Sequence, residues 1–99
     1  MIAIRLRMRA FLKSIDESSM KRLCEITLLT KDEAEILTAI FSKRLDADFV
    51  ADTYSVSLST LQRKITRAVL KIRFRLGIRH YYSSEEIHDT IVEALKTTR

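Results

Sequence analysis

Seven positively charged side chains lie between Thr53 and Ser84, and no acidic residue interrupts them. They are Arg63, Lys64, Arg67, Lys71, Arg73, Arg75 and Arg79. Such groups donate strong hydrogen bonds to phosphate oxygens, and arginine can also bind guanine through two bonds. The acidic residues of the chain all lie before or after this stretch. Charge segregated in this way predicts a surface that faces a polyanion.

Hydroxyl and amide side chains are interleaved with these cations. The candidate DNA-contacting residues are Ser57, Ser59, Thr60, Gln62, Arg63, Lys64, Thr66, Arg67, Lys71, Arg73 and Arg75. Arg63 suits guanine and Gln62 suits adenine, each with two hydrogen bonds. The expected phosphate contacts, which give affinity without reading sequence, are Lys64, Lys71, Arg73 and Arg75. Ser57, at the start of the run, could donate to a phosphate near a helix N-terminus.

The element that must position these residues is a long amphipathic helix. Apolar residues recur at steps of three and four: Leu58, Leu61, Ile65, Ala68, Val69, Ile72 and Leu76. This spacing predicts one buried stripe on a helix over residues 57–76. Gly77 is placed to end the helix, because glycine adopts a left-handed conformation without strain.

A short helix is predicted just before the long one. Asp46 or Ala47 begins it, and Tyr54-Ser55-Val56 forms a tight connection to Ser57. A short helix, a turn of three or four residues and a longer basic helix make the helix-turn-helix plan. In that plan the second helix enters the major groove of double-stranded DNA.

Flanking helices are predicted from their N-terminal caps. Thr30 with Glu33, and Ser83 with Glu86, have the spacing of capping boxes. Ser18 and Ser19 are expected to cap a helix that ends near Thr30.

The N-terminal residues are ambiguous. Large apolar residues alternate with Ala3 and three arginines over residues 2–9, as in a strand, but Phe11, Leu12 and Ile15 continue the apolar set at helical spacing. We favour a helix, since a lone strand would need a second copy of the chain as its partner. The local cations are Arg5, Arg7, Arg9 and Lys13. They form either a DNA-contacting arm or a solubilising face.

Composition favours one small all-α domain of about five helices, including the helix-turn-helix. The chain has 99 residues, 46% of them apolar, no proline and one glycine, whereas hairpins and sandwiches usually contain many turns rich in both of these residues. The single cysteine, Cys24, cannot form an internal disulfide, so a reducing, cytoplasmic location is expected. No stretch approaches the roughly 20 apolar residues that span a bilayer.

Catalysis and metal binding find no support in the residue pattern. His80 and His88 are eight residues apart and Cys24 is distant in sequence, which is not the spacing of a metal site. The sequence shows no motif that would bring a nucleophile, a base and an orienting group together. We therefore expect no enzyme, no cofactor and no metal.

The middle of the chain resembles region 4 of bacterial sigma factors. The similar residues are Leu29-Thr30, Glu33, Ile36-Leu37 and Ile40-Phe41 in an opening helix, Val50-Ala51, Tyr54 and Val56-Ser57 around the turn, and Leu61, Arg67-Ala68, Lys71-Ile72-Arg73 and Leu76 in a recognition helix. The resemblance implies a sigma-like core over residues 28–77. An N-terminal basic segment and helix (1–27) and a C-terminal helix (83–98) complete the single domain, 1–99.

The resemblance implies binding to promoter DNA and contact with RNA polymerase. No segment resembles the core-binding region of a full sigma factor, so a sigma-like regulator of phages or mobile elements fits better. Two positions depart from the pattern. Ser55 stands where the family often has glycine, and Leu58 stands where a polar residue is common.

The sequence is therefore compatible with two functions. The first is a DNA-binding transcription regulator whose recognition helix spans residues 57–76. The second is a sigma-like protein-interaction module that binds RNA polymerase or another regulator without reading DNA sequence. In either case Ile87, Ile91 and Leu95 of the last helix serve the chain's own core or a homodimer seam, and the N-terminal segment offers a second dimer contact.

Overall fold

Residues 2–97 are described by the computed structural model, and they form six α-helices without a strand. The helices are α1 (Ile4–Ser14), α2 (Glu17–Ile26), α3 (Lys31–Leu37), α4 (Ala47–Thr53), α5 (Leu58–Arg75) and α6 (Ser84–Thr97). A π-helical turn, Thr38–Ser42, extends α3. The all-α prediction is confirmed, with one helix more than expected. The predicted last helix reached residue 98, which lies outside the described residues.

One hydrophobic cluster joins these helices, and the stripe of α5 lies in it. Leu61, Ile65 and Ile72 are buried there, together with Ala68 and Val69. The stripe was predicted to begin at Leu58, but this side chain is 43% exposed. Leu58 is in the first turn of α5, which extends beyond the edge of the core.

The ambiguous N-terminal residues form a helix, as we favoured. Met8 and Leu12 are fully buried, while Ile4, Phe11 and Ile15 pack against the core. These residues share one helical face, so burial of this face prevails over the local alternation of residues 2–9.

The cap of α2 differs from the prediction. Asp16 is the N-cap residue, and its carboxylate accepts a hydrogen bond from the Ser19 backbone amide at 3.0 Å. Ser18 and Ser19 therefore lie inside the first turn rather than before it. The helix also ends earlier than Thr30, at Ile26, because Leu28 adopts a left-handed conformation with φ of 57°.

Both predicted capping boxes are present. The Thr30 hydroxyl accepts from the Glu33 amide at 3.2 Å, and the Glu33 carboxylate accepts from the Thr30 amide at 2.9 Å. Ser83 and Glu86 make the same reciprocal pair at 3.1 and 2.9 Å. Four orphan amides at two helix starts are thus satisfied locally.

The two helices of the predicted helix-turn-helix are α4 and α5, which pack against each other across a four-residue connection. Asp46 caps α4 and Ser57 caps α5. Ser55 turns the chain with φ of 55°, a conformation that favours glycine. Gly77 follows α5 with φ of 70°, as predicted for the residue that ends this helix.

The last helix packs on its own chain. Ile87 and Ile91 are fully buried and Leu95 is partly buried, and α6 contacts α1 and α2. Of the two roles left open for these residues, the structure places them in the core of the chain.

Candidate nucleic-acid interface

The N-terminus of α5 is open and free of acidic residues. The Ser57 hydroxyl accepts from the Thr60 backbone amide at 3.1 Å and donates to the Thr60 hydroxyl at 2.9 Å. No acidic residue occupies the first turn. The helix dipole therefore leaves a partial positive charge at this end, which attracts anions.

The outward face of α5, as defined here, is the exposed side opposite the buried stripe in its first three turns. It consists of Ser59, Gln62, Arg63, Thr66 and Arg67, all exposed. No ion pair among the described residues involves Arg63 or Arg67. Their guanidinium groups can therefore bind an external acceptor without breaking an ion pair.

Lys64 and Thr60 flank this face near the start of the helix. Lys64 is exposed, whereas Thr60 is half-buried and bonded to Ser57. Leu58 adds an exposed apolar group at the same end. The first half of α5 thus combines charged, hydrogen-bonding and apolar groups, the three types that base edges and thymine methyl groups require.

Lys71 forms an ion pair with another residue of the chain. Its ammonium lies 2.7 Å from the Glu33 carboxylate of α3, and the Glu33 side chain is only 15% exposed. Burial acts to raise the pKa of Glu33, but hydrogen bonds from Lys71 and Thr30 outweigh it, so the pKa lies below its ordinary value. The pair ties α5 to the N-terminus of α3.

Two more of the predicted phosphate contacts bond to backbone carbonyls. Arg73 donates to the Ile78 carbonyl at 3.1 Å, just beyond the end of α5. Arg75 donates to the carbonyls of Thr27 and Leu28, where α2 ends. Arg75 therefore satisfies carbonyls at the end of α2, whereas Arg73 satisfies one in the connection that follows α5.

The structure thus divides the sequence-predicted residues into two groups. Those from Ser57 to Arg67 gather at the open half of α5. The second half of α5 carries Lys71, Arg73 and Arg75. These side chains bond to α3, to the segment after α5 and to the end of α2. Sequence reasoning had no signal for this division, because the partners lie in other parts of the chain, apart from Ile78.

The scaffold under α5 is braced by Tyr54. Its hydroxyl donates to the Glu35 carboxylate of α3 at 2.9 Å. Partial burial, followed by this bond and the charge of Glu35, raises the pKa of Tyr54 to about 12. The bond fixes the end of α4 against α3 and so steadies the turn that leads into α5.

A further contact of α5 that the sequence does not predict involves α1. The Arg9 guanidinium of α1 donates to the Thr66 hydroxyl at 3.4 Å. Helix α1 therefore lies beside the outward face of α5. The only sequence signal was the arginine-rich N-terminus, which left an arm and a solvated face equally open.

No family model, curated protein or solved structure matches this chain. Within residues 2–97, no cluster of three or more histidine, cysteine or acidic residues could hold a metal ion. None of the described helices is long and apolar enough to cross a membrane.

Proposed function

We propose that this protein is a DNA-binding transcription regulator that places the first half of α5 in the major groove of double-stranded DNA. The observation that carries the proposal is the outward face of α5. It presents two arginines that form no ion pair within residues 2–97 and three hydrogen-bonding side chains, with no acidic residue in the helix.

The dimensions of α5 suit this role. Its 18 residues span about 27 Å, and a helix with its side chains is roughly as wide as the major groove. Arg63 is proposed to bind guanine and Gln62 adenine, while Ser59 and Thr66 bond to bases or phosphates. The dipole at Ser57 favours a phosphate there.

Affinity comes from phosphate contacts. Lys64 and Arg67 are exposed, and neither forms an ion pair among the described residues. Lys71, Arg73 and Arg75 remain proposed contacts of a weaker kind, because each would exchange a bond within the protein for one to DNA. The resemblance to sigma region 4 supports a cytoplasmic regulator of phage or mobile-element type, with RNA polymerase as a further partner. Homodimer formation also stays a proposal.

A second candidate function is favoured by a groove of about 460 Å³ between α2, α3 and α4. Phe49 and Leu45 are exposed at this groove, at 60% and 40%, and three lysines also line it: Lys21, Lys31 and Lys43. An apolar segment with acidic flanks would fit. In this alternative the protein is an interaction module that binds RNA polymerase or another regulator without sequence-specific reading of DNA.

Fluorescence anisotropy with a labelled random-sequence duplex separates the two functions. The wild-type protein should bind at low salt and weaken steeply as salt rises, since bound phosphates release counterions. Arg67→Ala should weaken binding, whereas Phe49→Ser, in the groove, should not. Absence of binding by the wild-type protein at low salt would favour the interaction module.

A further inference from the structure

A second cationic surface lies beside the outward face of α5, on α1. Helix α1 contains four cations and no acidic residue. Arg5, Arg9 and Lys13 follow one another at four-residue spacing, so they lie along one side of the helix. We call this row the α1 stripe.

The hydrogen bond from Arg9 to Thr66 shows that the α1 stripe lies on the side of α1 next to α5. Arg9 is the middle member of the row, and its guanidinium reaches the outward face of α5. Arg5 and Lys13, one turn to either side, are exposed. The row therefore borders the proposed reading helix rather than an unrelated part of the surface.

Arg7 shows that the arginines of α1 do not all serve one purpose. It donates to the carbonyls of Tyr82 at 2.9 Å and His80 at 3.0 Å, in the connection between α5 and α6. Arg7 therefore attaches α1 to the connection between α5 and α6, and it is not part of the α1 stripe.

The two sides of α5 differ in charge. On the α3 side, Glu33 pairs with Lys71 and Asp32 is exposed, so carboxylates offset the cations. On the α1 side, the neighbouring helix supplies only cations. A DNA strand beside the major groove is therefore attracted more strongly by the second side than by the first.

We propose that the α1 stripe binds the phosphate backbone of the DNA strand that borders the groove occupied by α5. Arg5 and Lys13 are about 12 Å apart along α1, and one strand carries roughly three or four phosphates over that length of the duplex axis. Arg9 keeps free N–H donors beyond its bond to Thr66, since a guanidinium has five. Arg9 thus connects α5 to the proposed contacts between the α1 stripe and the DNA phosphates.

This inference rests on the proposed DNA-binding function, and the salt dependence of DNA affinity tests it separately. The logarithm of affinity falls with the logarithm of salt concentration, with a slope of about 0.9 for each phosphate contacted. Arg5→Gln and Lys13→Gln should each reduce the slope by about one. Both should leave the ratio of affinities for preferred and random duplexes unchanged.

Lys96→Gln is the matched control. It removes the same charge from the exposed last turn of α6, near Leu95, whose carbonyl accepts from Arg22 of α2 at 2.8 Å. This control should keep the wild-type slope. Wild-type slopes for Arg5→Gln and Lys13→Gln, or an equal fall for Lys96→Gln, would overturn the inference while DNA binding itself stands. Failure of the wild-type protein to bind any duplex would overturn the proposed function and this inference together.

Discussion

The Lys71 ammonium lies 2.7 Å from the Glu33 carboxylate, which also accepts a hydrogen bond from the Thr30 amide at 2.9 Å. One carboxylate therefore closes the capping box of α3 and anchors the second half of α5. The charge of Lys71 is satisfied within the protein. Cations at the first half of the helix remain available for a partner.

Replacement of Lys71 should first affect stability. Lys71→Gln leaves the largely buried Glu33 carboxylate without its cation, and we expect a loss of roughly 1 kcal/mol in the free energy of unfolding. Thermal or urea unfolding followed by circular dichroism measures it. Lys64→Gln, an exposed cation of the same helix, is the control and should have little effect. Equal stability of the two variants would show that the ion pair contributes nothing.

Acid stability depends on Glu33. Its pKa is lower in the folded protein than its ordinary value of 4.5. The stabilisation is therefore present above pH 4.5 and is lost as the pH falls through the folded pKa. Lys71→Gln removes a bond that lowers this pKa but leaves the burial that raises it. Acid unfolding should then begin at a higher pH than in the wild-type protein, and superimposable acid titrations would contradict this.

Arg63 and Lys64 should differ in what they contribute to DNA binding. Arg63→Ala should cost about 1–3 kcal/mol on the preferred duplex and much less on random DNA, because it removes a base contact. Lys64→Ala should weaken both duplexes alike, because it removes a phosphate contact. Competition binding with the two duplexes measures the ratio. Equal losses for Arg63→Ala on both would remove its assigned reading role.

Ser55 offers a route to a more stable turn. It adopts φ of 55°, which strains a residue with a side chain. Ser55→Gly should relieve about 1 kcal/mol of this strain, partly offset by the greater freedom of glycine in the unfolded chain. A small rise in Tm is expected. Ser55→Val should lower Tm, since a β-branched residue is poorly tolerated there.

Gly77 gives the converse test. A Cβ atom added at this position meets no atom within 4 Å, so any effect of Gly77→Ala comes from the backbone, with φ of 70°. We expect a loss of about 1 kcal/mol in the free energy of unfolding. An unchanged Tm would mean that this segment can adopt another conformation at no cost.

Features of this fold that depend on local sequence were predictable. The capping boxes at Thr30 and Ser83, the apolar stripe of α5 and the stop at Gly77 each involve residues within a few turns of one another. The cap of α2 is Asp16 rather than Ser18 or Ser19, and residue type does not separate them because aspartate and serine are equally good N-cap acceptors. The π-helical turn at Thr38–Ser42 had no sequence signal that we could identify.

Long-range partners were not predictable in the same way. Lys71 and Glu33 are 38 residues apart, and Arg9 and Thr66 are 57 apart. Residue type shows only that a cation can donate hydrogen bonds. The packing of the helices decides whether the acceptor lies within the protein or on a partner. The sequence therefore does not separate the cations that have partners within the protein, such as Lys71, from those that have none, and it leaves the role of the α1 stripe undecided.

Selection of bound duplexes from a random-sequence pool, at low and moderate salt and followed by sequencing, tests the central claim most directly. We predict salt-sensitive retention of DNA and an enriched motif that is lost when Arg63→Ala and Arg67→Ala are combined. Circular dichroism of that variant should show a folded protein, because neither side chain is buried. No retained DNA at low salt, or retention without any enriched motif, would contradict sequence reading by α5.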